Sequence, residues 1–283
     1  MKLITIAFLF VHLFTITLSA QTKPTRLIIR GDDMGFSHAG NEALIKTYKD
    51  GIEHSIEVLV PSPWFPEAVK LLEQNPGVDV GIHLALSSEW ETIKWRPLTH
   101  CPSLTDSSGY FYPMIFNNKN YPGKILKEHA WKLYEIEKEF RAQIELALKK
   151  IPRTSHISSH MGCTDLAPEV SAMTKRLAKE YKIDIDLEEL GVKYIGYKGP
   201  NKTVADKLKS FLNMLDSLQA GQTYMFLDHP ALDGPEMRSI YHIGYENVAE
   251  DRQGVTDLWT NPLVIEVIKK KNIQLISYAD LKK

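Results

Sequence analysis

Two adjacent carboxylates, Asp32 and Asp33, follow a short apolar run in the segment RLIIRGDDMGFS. The apolar residues, Leu27 to Ile29, predict a buried strand, and Ser37 is placed to cap a helix that follows it. Two acids at the end of a buried strand cost free energy unless they bind a ligand or share protons. An isolated Asp-Asp pair more often lies in a solvated turn, so this pair indicates a functional site only if other segments supply partners.

Histidines follow three further strand-like segments. His83 lies in GIHLAL, His156 and His160 lie in SHISSH, and His229 lies in FLDHP. Side chains alternate along a strand, so His156, Ser158 and His160 are expected to share one face. A lone histidine in a strand is more often a core or surface residue than a ligand. In a parallel α/β barrel, however, all of these strand ends meet at one rim.

One carboxylate and two histidines are enough to hold a catalytic metal and to leave positions for water and substrate. The set that we predict is Asp33, His83 and His160. A divalent metal lowers the pKa of a bound water toward about 7. We therefore predict Asp32 as the base that takes the proton of this water and His229 as the acid that protonates the leaving group. Non-haem iron oxygenases use the same ligand types, but Asp32 favours hydrolysis.

The elements that must position these residues alternate between strands and helices. Helical spacing occurs over residues 39–50, 64–74, 125–150, 168–181, 203–218 and 261–271. Strand-like segments occur at residues 27–29, 55–60, 78–86, 151–161, 183–186, 192–195, 223–228 and 273–277. This alternation is typical of a parallel α/β core. We predict an α/β fold, an irregular (β/α) barrel of about seven strands, in one domain over residues 21–283.

Residues 87–123 interrupt the alternation. The segment contains several prolines, no helical period, and the aromatic residues Trp90, Trp95, Tyr110, Phe111, Tyr112, Phe116 and Tyr121. A long irregular loop in a compact domain is usually a binding loop or a lid. Its aromatic rings suit stacking on sugar faces, and they equally suit anchoring the loop to the body of the protein.

Residues 1–20 are predicted to be a signal peptide. Lys2 gives a positive start, residues 3–18 are almost wholly apolar, and small residues precede Gln21. The apolar run is short for a spanning helix, and no basic stop-transfer cluster follows it. We predict export to a bacterial periplasm or beyond, with no integral membrane segment after cleavage.

Composition narrows the class of partner. The 283 residues are 43% hydrophobic and carry a formal net charge of −1, which argues against nucleic acid as the main partner. Cys101 and Cys163 could pair in an oxidising compartment, but two distant cysteines form no framework signature. Cys163 lies close to His160, yet a small apolar filler is the favoured interpretation over a metal thiolate.

Several segments, taken in order, resemble the YdjC-like carbohydrate deacetylases, the ChbG/HpnK group. These segments are LIIRGDDMGFS, GIHLAL, PSLTDSSGYF, HISSH, FLDHP and IQLISYADL. Each is short, but the ordered set spans the chain from residue 26 almost to its end, which makes the resemblance fairly specific.

The resemblance implies an irregular (β/α) barrel of the glycoside hydrolase/deacetylase type and a divalent metal, Mg²⁺ or Zn²⁺, held by Asp33, His83 and His160. It implies hydrolytic removal of acetyl groups from an acetylated amino sugar or oligosaccharide. Asp32 carries over as the base and His229 as the acid. Family members are often dimers, so the resemblance also allows a homodimer.

The chain departs from the family pattern where it would matter for chemistry. The family commonly has an acid between the two histidines of HISSH, and this chain has Ser158 there. The late turn usually reads His-Pro-Gly, but Ala231 follows Pro230, and the region around Arg252 matches only loosely. The serine weakens the expectation of a carboxylate behind the metal ligands.

Two other functions therefore stay open. One is a periplasmic glycan-binding protein with a vestigial site, which the serine at position 158 would suit. The other is a glycosidase on a similar barrel, which would use Asp32 together with Glu57 or another acid and would need no metal.

Overall fold

The computed structural model describes residues 23–282, and the predicted signal peptide lies outside the described residues. Within this part of the chain, parallel strands form one curled sheet, a half-barrel, in the order β4-β3-β2-β1-β6-β5, with β7 also paired to β1. The strands are β1 (Arg26–Met34), β2 (Ser55–Val58), β3 (Asp79–Leu84), β4 (His156–Ser159), β5 (Lys193–Tyr194), β6 (Thr223–Asp228) and β7 (Gln274–Ile276). The predicted α/β barrel of about seven strands is confirmed.

Helices connect the strands and cover the sheet. They are α1 (His38–Asp50), α2 (Phe65–Gln74), α3 (Leu133–Lys150), α4 (Pro168–Glu180), α5 (Val204–Asp216), α6 (Pro235–Arg238), α7 (Val248–Trp259) and α8 (Pro262–Lys270). Side-chain caps begin three of them. Ser37 accepts from the Gly40 amide, as the sequence predicts, Thr203 accepts from the Asp206 amide, and Asn261 accepts from the Leu263 amide. Over residues 23–282, none of the helices has the length and apolar character needed to cross a bilayer.

Two predicted elements are wrong, and helices α6 and α7 were not predicted. The helix predicted over residues 125–150 begins at Leu133, because the Leu126 and Lys127 amides donate to the loop carbonyls of Met114 and Ile115 instead. The strand predicted at residues 183–186 does not form. Helix α7 was not predicted, because its buried face includes Arg252, and a charged residue there breaks the apolar helical period.

Strand β1 is central, and its pairing changes along its length. Its first half pairs with β6 on one side and β7 on the other, and from Arg30 onward β2 takes over from β7. Between Gly31 and Met34 the register with β2 shifts, since three steps along β1 match the two steps from Ile56 to Val58. The extra residue lies at the acidic doublet, so this irregularity sets the directions of the two carboxylates.

The barrel interior is polar at the level of Gly81. In the register of the sheet Gly81 lies between Glu57 on β2 and His156 on β4, and Glu57 and His156 hydrogen-bond across it with Oε1 to Nε2 at 2.7 Å. A Cβ atom at position 81 would overlap with both the Glu57 carboxylate and the His156 ring. The glycine is therefore required for the side-chain pair beside it.

We expect Gly81→Ala to lower the free energy of unfolding by about 1–3 kcal/mol, the usual cost of overfilling a packed interior. Chemical denaturation would measure the loss. Gly196→Ala is the matched control, because an added Cβ there meets no described atom within 4 Å. Equal losses in the two variants would contradict the proposed packing constraint.

Candidate metal centre

The site lies at the carboxyl ends of the parallel strands. Asp33 is near the end of β1, His83 near the end of β3, and His160 and His229 directly follow β4 and β6. Asp33 has a φ of 72°, which is rare for a residue other than glycine and costs free energy. Such strain persists only where surrounding contacts hold it, and it turns Asp33 toward the histidines.

The three predicted ligands come together. Asp33 Oδ1 lies 3.1 Å from His160 Nδ1 and 3.5 Å from His83 Nε2, and the three ligand atoms all lie within 4.8 Å of one another. All three side chains are buried. Asp33 Oδ1 has no hydrogen-bond partner among residues 23–282, which is costly for a buried carboxylate oxygen and is the arrangement that a bound cation satisfies.

The outer nitrogens of both histidines are occupied, which aims the inner ones at Asp33. His83 Nδ1 is 2.8 Å from Ser158 Oγ, and His160 Nε2 is 3.0 Å from Glu89 Oε2. Polar groups behind imidazole ligands fix the ring orientation and tautomer in metal sites. The residues present therefore fit a divalent metal held by one carboxylate and two imidazoles.

Glu89 was not predicted. It follows β3 by five residues, in the aromatic loop, and its side chain is 4% exposed. The sequence around a single acid in an irregular loop does not indicate which residue it contacts. Only the tertiary structure shows that Glu89 lies behind His160. The resemblance had drawn attention to the chain around HISSH, whereas this carboxylate comes from a different loop.

The electrostatics favour a cation between the carboxylates. Burial alone would raise the pKa of Asp33, but His160 and His229 lower it well below its usual range. Burial lowers the pKa of His160, whereas Glu89 and Asp33 outweigh this and raise it to about 10. Positive charge is thus stabilised at this position, in the form of a proton or of a metal ion.

Asp32 faces the same cavity but is not part of the three-atom cluster. Arg30 donates to both of its oxygens, Nε to Oδ1 and Nη2 to Oδ2, each at 2.8 Å. Arg30 Nη1 also donates to the Tyr278 hydroxyl at 2.9 Å. Its predicted role as the base stays a prediction, and the bidentate pair orients the carboxylate that this role needs.

His229 lies at the open side of the site. Its Nε2 is 4.0 Å from Asp33 Oδ2, its Nδ1 is 3.6 Å from Asp228 Oδ1, and a third of its side chain is exposed. Burial lowers the pKa of His229, but Asp33 and Asp228 outweigh it, so the net shift is upward. A histidine whose pKa is raised suits the predicted acid role, which stays a prediction.

Arg252 belongs to the site, although its region matched the family pattern only loosely. Its Nη2 donates to Asp33 Oδ2 at 2.9 Å. Its guanidinium carbon lies 4.7 Å from the Phe36 ring centroid and 5.1 Å from that of Trp90. Its Nε and Nη1 are buried donors with no hydrogen-bond partner in the described chain.

These groups surround a cavity of about 350 Å³. A second cavity of about 390 Å³ shares Arg30, Ser159 and Gly162 with it and extends toward Tyr194 on β5. The aromatic residues Trp90, Trp95, Phe111 and Tyr121 of the loop over residues 87–123 are buried, which supports their anchoring role, and Trp90 also lines the first cavity.

The cysteines take no part in the site. Cys101 and Cys163 are both buried and free. Cys163 Sγ donates to the Leu84 carbonyl oxygen at 3.0 Å, and burial raises the pKa of its thiol to about 12. The interpretation of Cys163 as a small buried residue is therefore favoured over a metal thiolate.

The curled parallel sheet and the buried Asp-His-His cluster at its carboxyl edge place the protein among α/β barrel proteins that have a candidate metal site. The chain belongs to the YdjC-like family, because the family described as YdjC-like protein matches residues 26–270. The predicted family is confirmed.

Known proteins resemble the chain over almost its whole length. Carbohydrate deacetylase 2 of Listeria innocua is 25% identical over 264 residues, which cover 91% of this chain and 99% of that protein. A carbohydrate deacetylase of Clostridium beijerinckii is 29% identical over 270 residues, covering 90% of this chain and 100% of that protein. A crystal structure from Enterococcus faecalis, described as a cellobiose-phosphate cleavage protein, shows the same fold, with a TM-score of 0.71 at 23% identity. The match covers 92% of this chain and 99% of that chain.

We expect the purified protein to bind one divalent metal ion. We expect Asp33→Asn to weaken that binding by more than about 100-fold, which is more than the usual loss when a residue that only supports a ligand is changed. The reason is that the substitution removes the negative charge of the side chain and alters Oδ1, the oxygen that has no hydrogen-bond partner. Elemental analysis after dialysis and a competition titration would measure this. Asp50→Asn, at an exposed end of α1, is the control, and an unchanged metal content in Asp33→Asn would contradict the ligand assignment.

Proposed function

We propose that this chain is a metal-dependent carbohydrate deacetylase that hydrolyses the acetyl group of an N-acetylated sugar or oligosaccharide. The observation that carries the proposal is the buried cluster of Asp33, His83 and His160, with an unpartnered carboxylate oxygen facing both imidazoles. The relatives from Listeria and Clostridium, both named carbohydrate deacetylase, support the class of activity.

Asp33, His83 and His160 would hold the metal. A divalent metal at this position would supply a Lewis acid for a carbonyl group and a source of hydroxide near neutral pH. Two imidazoles favour Zn²⁺ over Mg²⁺, which prefers oxygen ligands. The buried position of the cluster keeps the surrounding dielectric low, so each charge acts on a bound acetyl group more strongly than it would in water.

The other residues move the protons. Asp32, oriented by Arg30, accepts a proton from the attacking water as the new carbon–oxygen bond forms. When the carbon–nitrogen bond breaks, His229 donates its proton to the amine, and acetate is the second product. Arg252, which lines the cavity, holds Asp33 in place through its Nη2.

The glycosidase alternative is disfavoured. It would use Asp32 with Glu57, but Glu57 has 0% exposure and both of its oxygens bond to protein groups, His156 and Ser158. A general acid for glycoside cleavage must reach the glycosidic oxygen, and this carboxylate cannot.

The two neighbouring cavities, which share Arg30, Ser159 and Gly162, support an oligosaccharide as the substrate. The cavity at the metal ligands has room for one acetylated sugar, and the cavity toward Tyr194 has room for a neighbouring sugar unit. Tyr194 is 64% exposed, and an exposed aromatic ring provides a surface on which a sugar can stack.

We expect acetate release from N-acetylated chito-oligosaccharides, with a higher kcat/KM than for the monosaccharide, and complete loss with a chelator or in Asp33→Ala. Restored activity on adding metal back to the chelated protein is the control for unfolding. Chelator-insensitive cleavage of the glycosidic bond would favour the glycosidase. Sugar binding in calorimetry without acetate release would favour the glycan-binding protein.

We also propose that the protein is exported, which the sequence of residues 1–20 supports. Expression in a bacterium with fractionation should place a protein that begins at Gln21 in the periplasm or the medium, as read by mass spectrometry of the intact chain. A full-length protein confined to the cytosol would contradict it. The homodimer stays a prediction.

A further inference from the structure

The two histidine ligands are supported in different ways. His160 Nε2 contacts the Glu89 carboxylate directly, at 3.0 Å. His83 Nδ1 contacts a serine hydroxyl, Ser158 Oγ, at 2.8 Å, and the two residues are partners in the register of β3 and β4. Position 158 is where the family commonly has an acid. At first sight, His83 therefore lacks a supporting carboxylate of the kind that Glu89 provides for His160.

A carboxylate nevertheless stands behind the serine. Ser158 Oγ donates a short hydrogen bond to Oε2 of Glu57, which comes from β2, on the other side of β3. The absence of a side chain at Gly81, in the strand between them, makes room for this contact. The three side chains thus form a continuous relay, Glu57–Ser158–His83.

The direction of each hydrogen bond in the relay follows from its chemistry. An ionised carboxylate only accepts, so the single Ser158 proton is donated to Glu57, and a lone pair of Ser158 Oγ accepts from His83 Nδ1–H. His83 Nε2 then carries no proton, and its lone pair faces Asp33 Oδ1 at 3.5 Å. That tautomer is the one that can bind a metal.

Glu57 is held in the ionised form that this relay needs. Its side chain is fully buried, and its second oxygen accepts from His156 Nε2 at 2.7 Å. Burial would raise the pKa of Glu57, but His156 and Arg30 outweigh it and bring the pKa to about 2.

We infer that Glu57 is a positioning residue which, through Ser158, sets the tautomer and orientation of His83 as a metal ligand, so that the carboxylate expected at position 158 is supplied from the neighbouring strand. The inference rests on the metal site of the proposed function. It also removes the main reason for a vestigial site, since the serine does not interrupt the support of the ligand.

Metal affinity of the purified protein is the first test. Zn²⁺ competition titrations should show a loss of about 10–100-fold in both Glu57→Gln and Ser158→Ala, the usual range for outer partners of a ligand. The double variant should lose no more than either single variant, because both changes break one relay. Glu53→Gln is the matched control. This substitution changes another buried acid, one whose pKa is raised well above its usual range by burial. It should leave the affinity for Zn²⁺ unchanged.

A transfer variant separates positioning from simple packing. Ser158→Asp alone places two carboxylates side by side and should destabilise the protein and weaken metal binding. In Glu57→Gln with Ser158→Asp, the new carboxylate accepts from His83, and the glutamine donates to it and accepts from His156. We expect this double variant to recover most of the affinity. Failure to recover, with a stable fold, would overturn the inference.

The tautomer of His83 can be read without metal or substrate. In ¹⁵N-histidine NMR spectra of the metal-free protein, His83 should carry its proton on Nδ1, and Ser158→Ala should lose that signature. A wild-type protein with the proton on Nε2 would overturn the inference while leaving the proposed function standing. A wild-type protein that binds no metal would instead overturn the metal-dependent function, and this inference with it.

Discussion

Buried carboxylates dominate the carboxyl edge of this sheet, and each requires a positive or donating partner. Arg30 pairs with Asp32, and Arg252 with Asp33. His156 pairs with Glu57, and His160 is shared between Asp33 and Glu89. Removing one member of such a pair leaves an uncompensated charge in a medium of low dielectric, which is strongly destabilising. The polar interior is therefore one linked system, and Asp33 Oδ1, which faces both imidazoles and has no hydrogen-bond partner within residues 23–282, marks the candidate metal position.

The two acids of the doublet have different surroundings because the register of β1 with β2 shifts between Gly31 and Met34, the stretch that contains them. If β1 were regular, neighbouring side chains would simply alternate between the two faces. The extra residue and the positive φ of Asp33 instead place Asp32 against Arg30 and Asp33 against the histidines. Two adjacent, chemically identical groups thereby acquire different partners, which is what separate roles in proton transfer and metal binding require.

Much of the fold was predictable from local patterns, and the missed helix α7 shows where such patterns fail. The strands near Asp33, His83 and His229 were recognised because a buried parallel strand is a short apolar run that ends in a turn. Helix α7 was missed because a buried arginine interrupts its apolar face, and that arginine is buried only because it pairs with Asp33. Where an element is shaped by the site, its local sequence departs from the pattern of an ordinary element.

The amino-acid sequence by itself determined the α/β class, the family and the three strand-end residues that come together, since periodicity and strand ends are local properties. Only the tertiary structure decided what stands behind each ligand. Glu57 and Ser158 are 101 positions apart, and Glu89 and His160 are 71 apart. Such pairs depend on strand order, register and the space left by Gly81, which arise from packing across the whole sheet. A serine that looked like a missing carboxylate was thus shown to be the link to one.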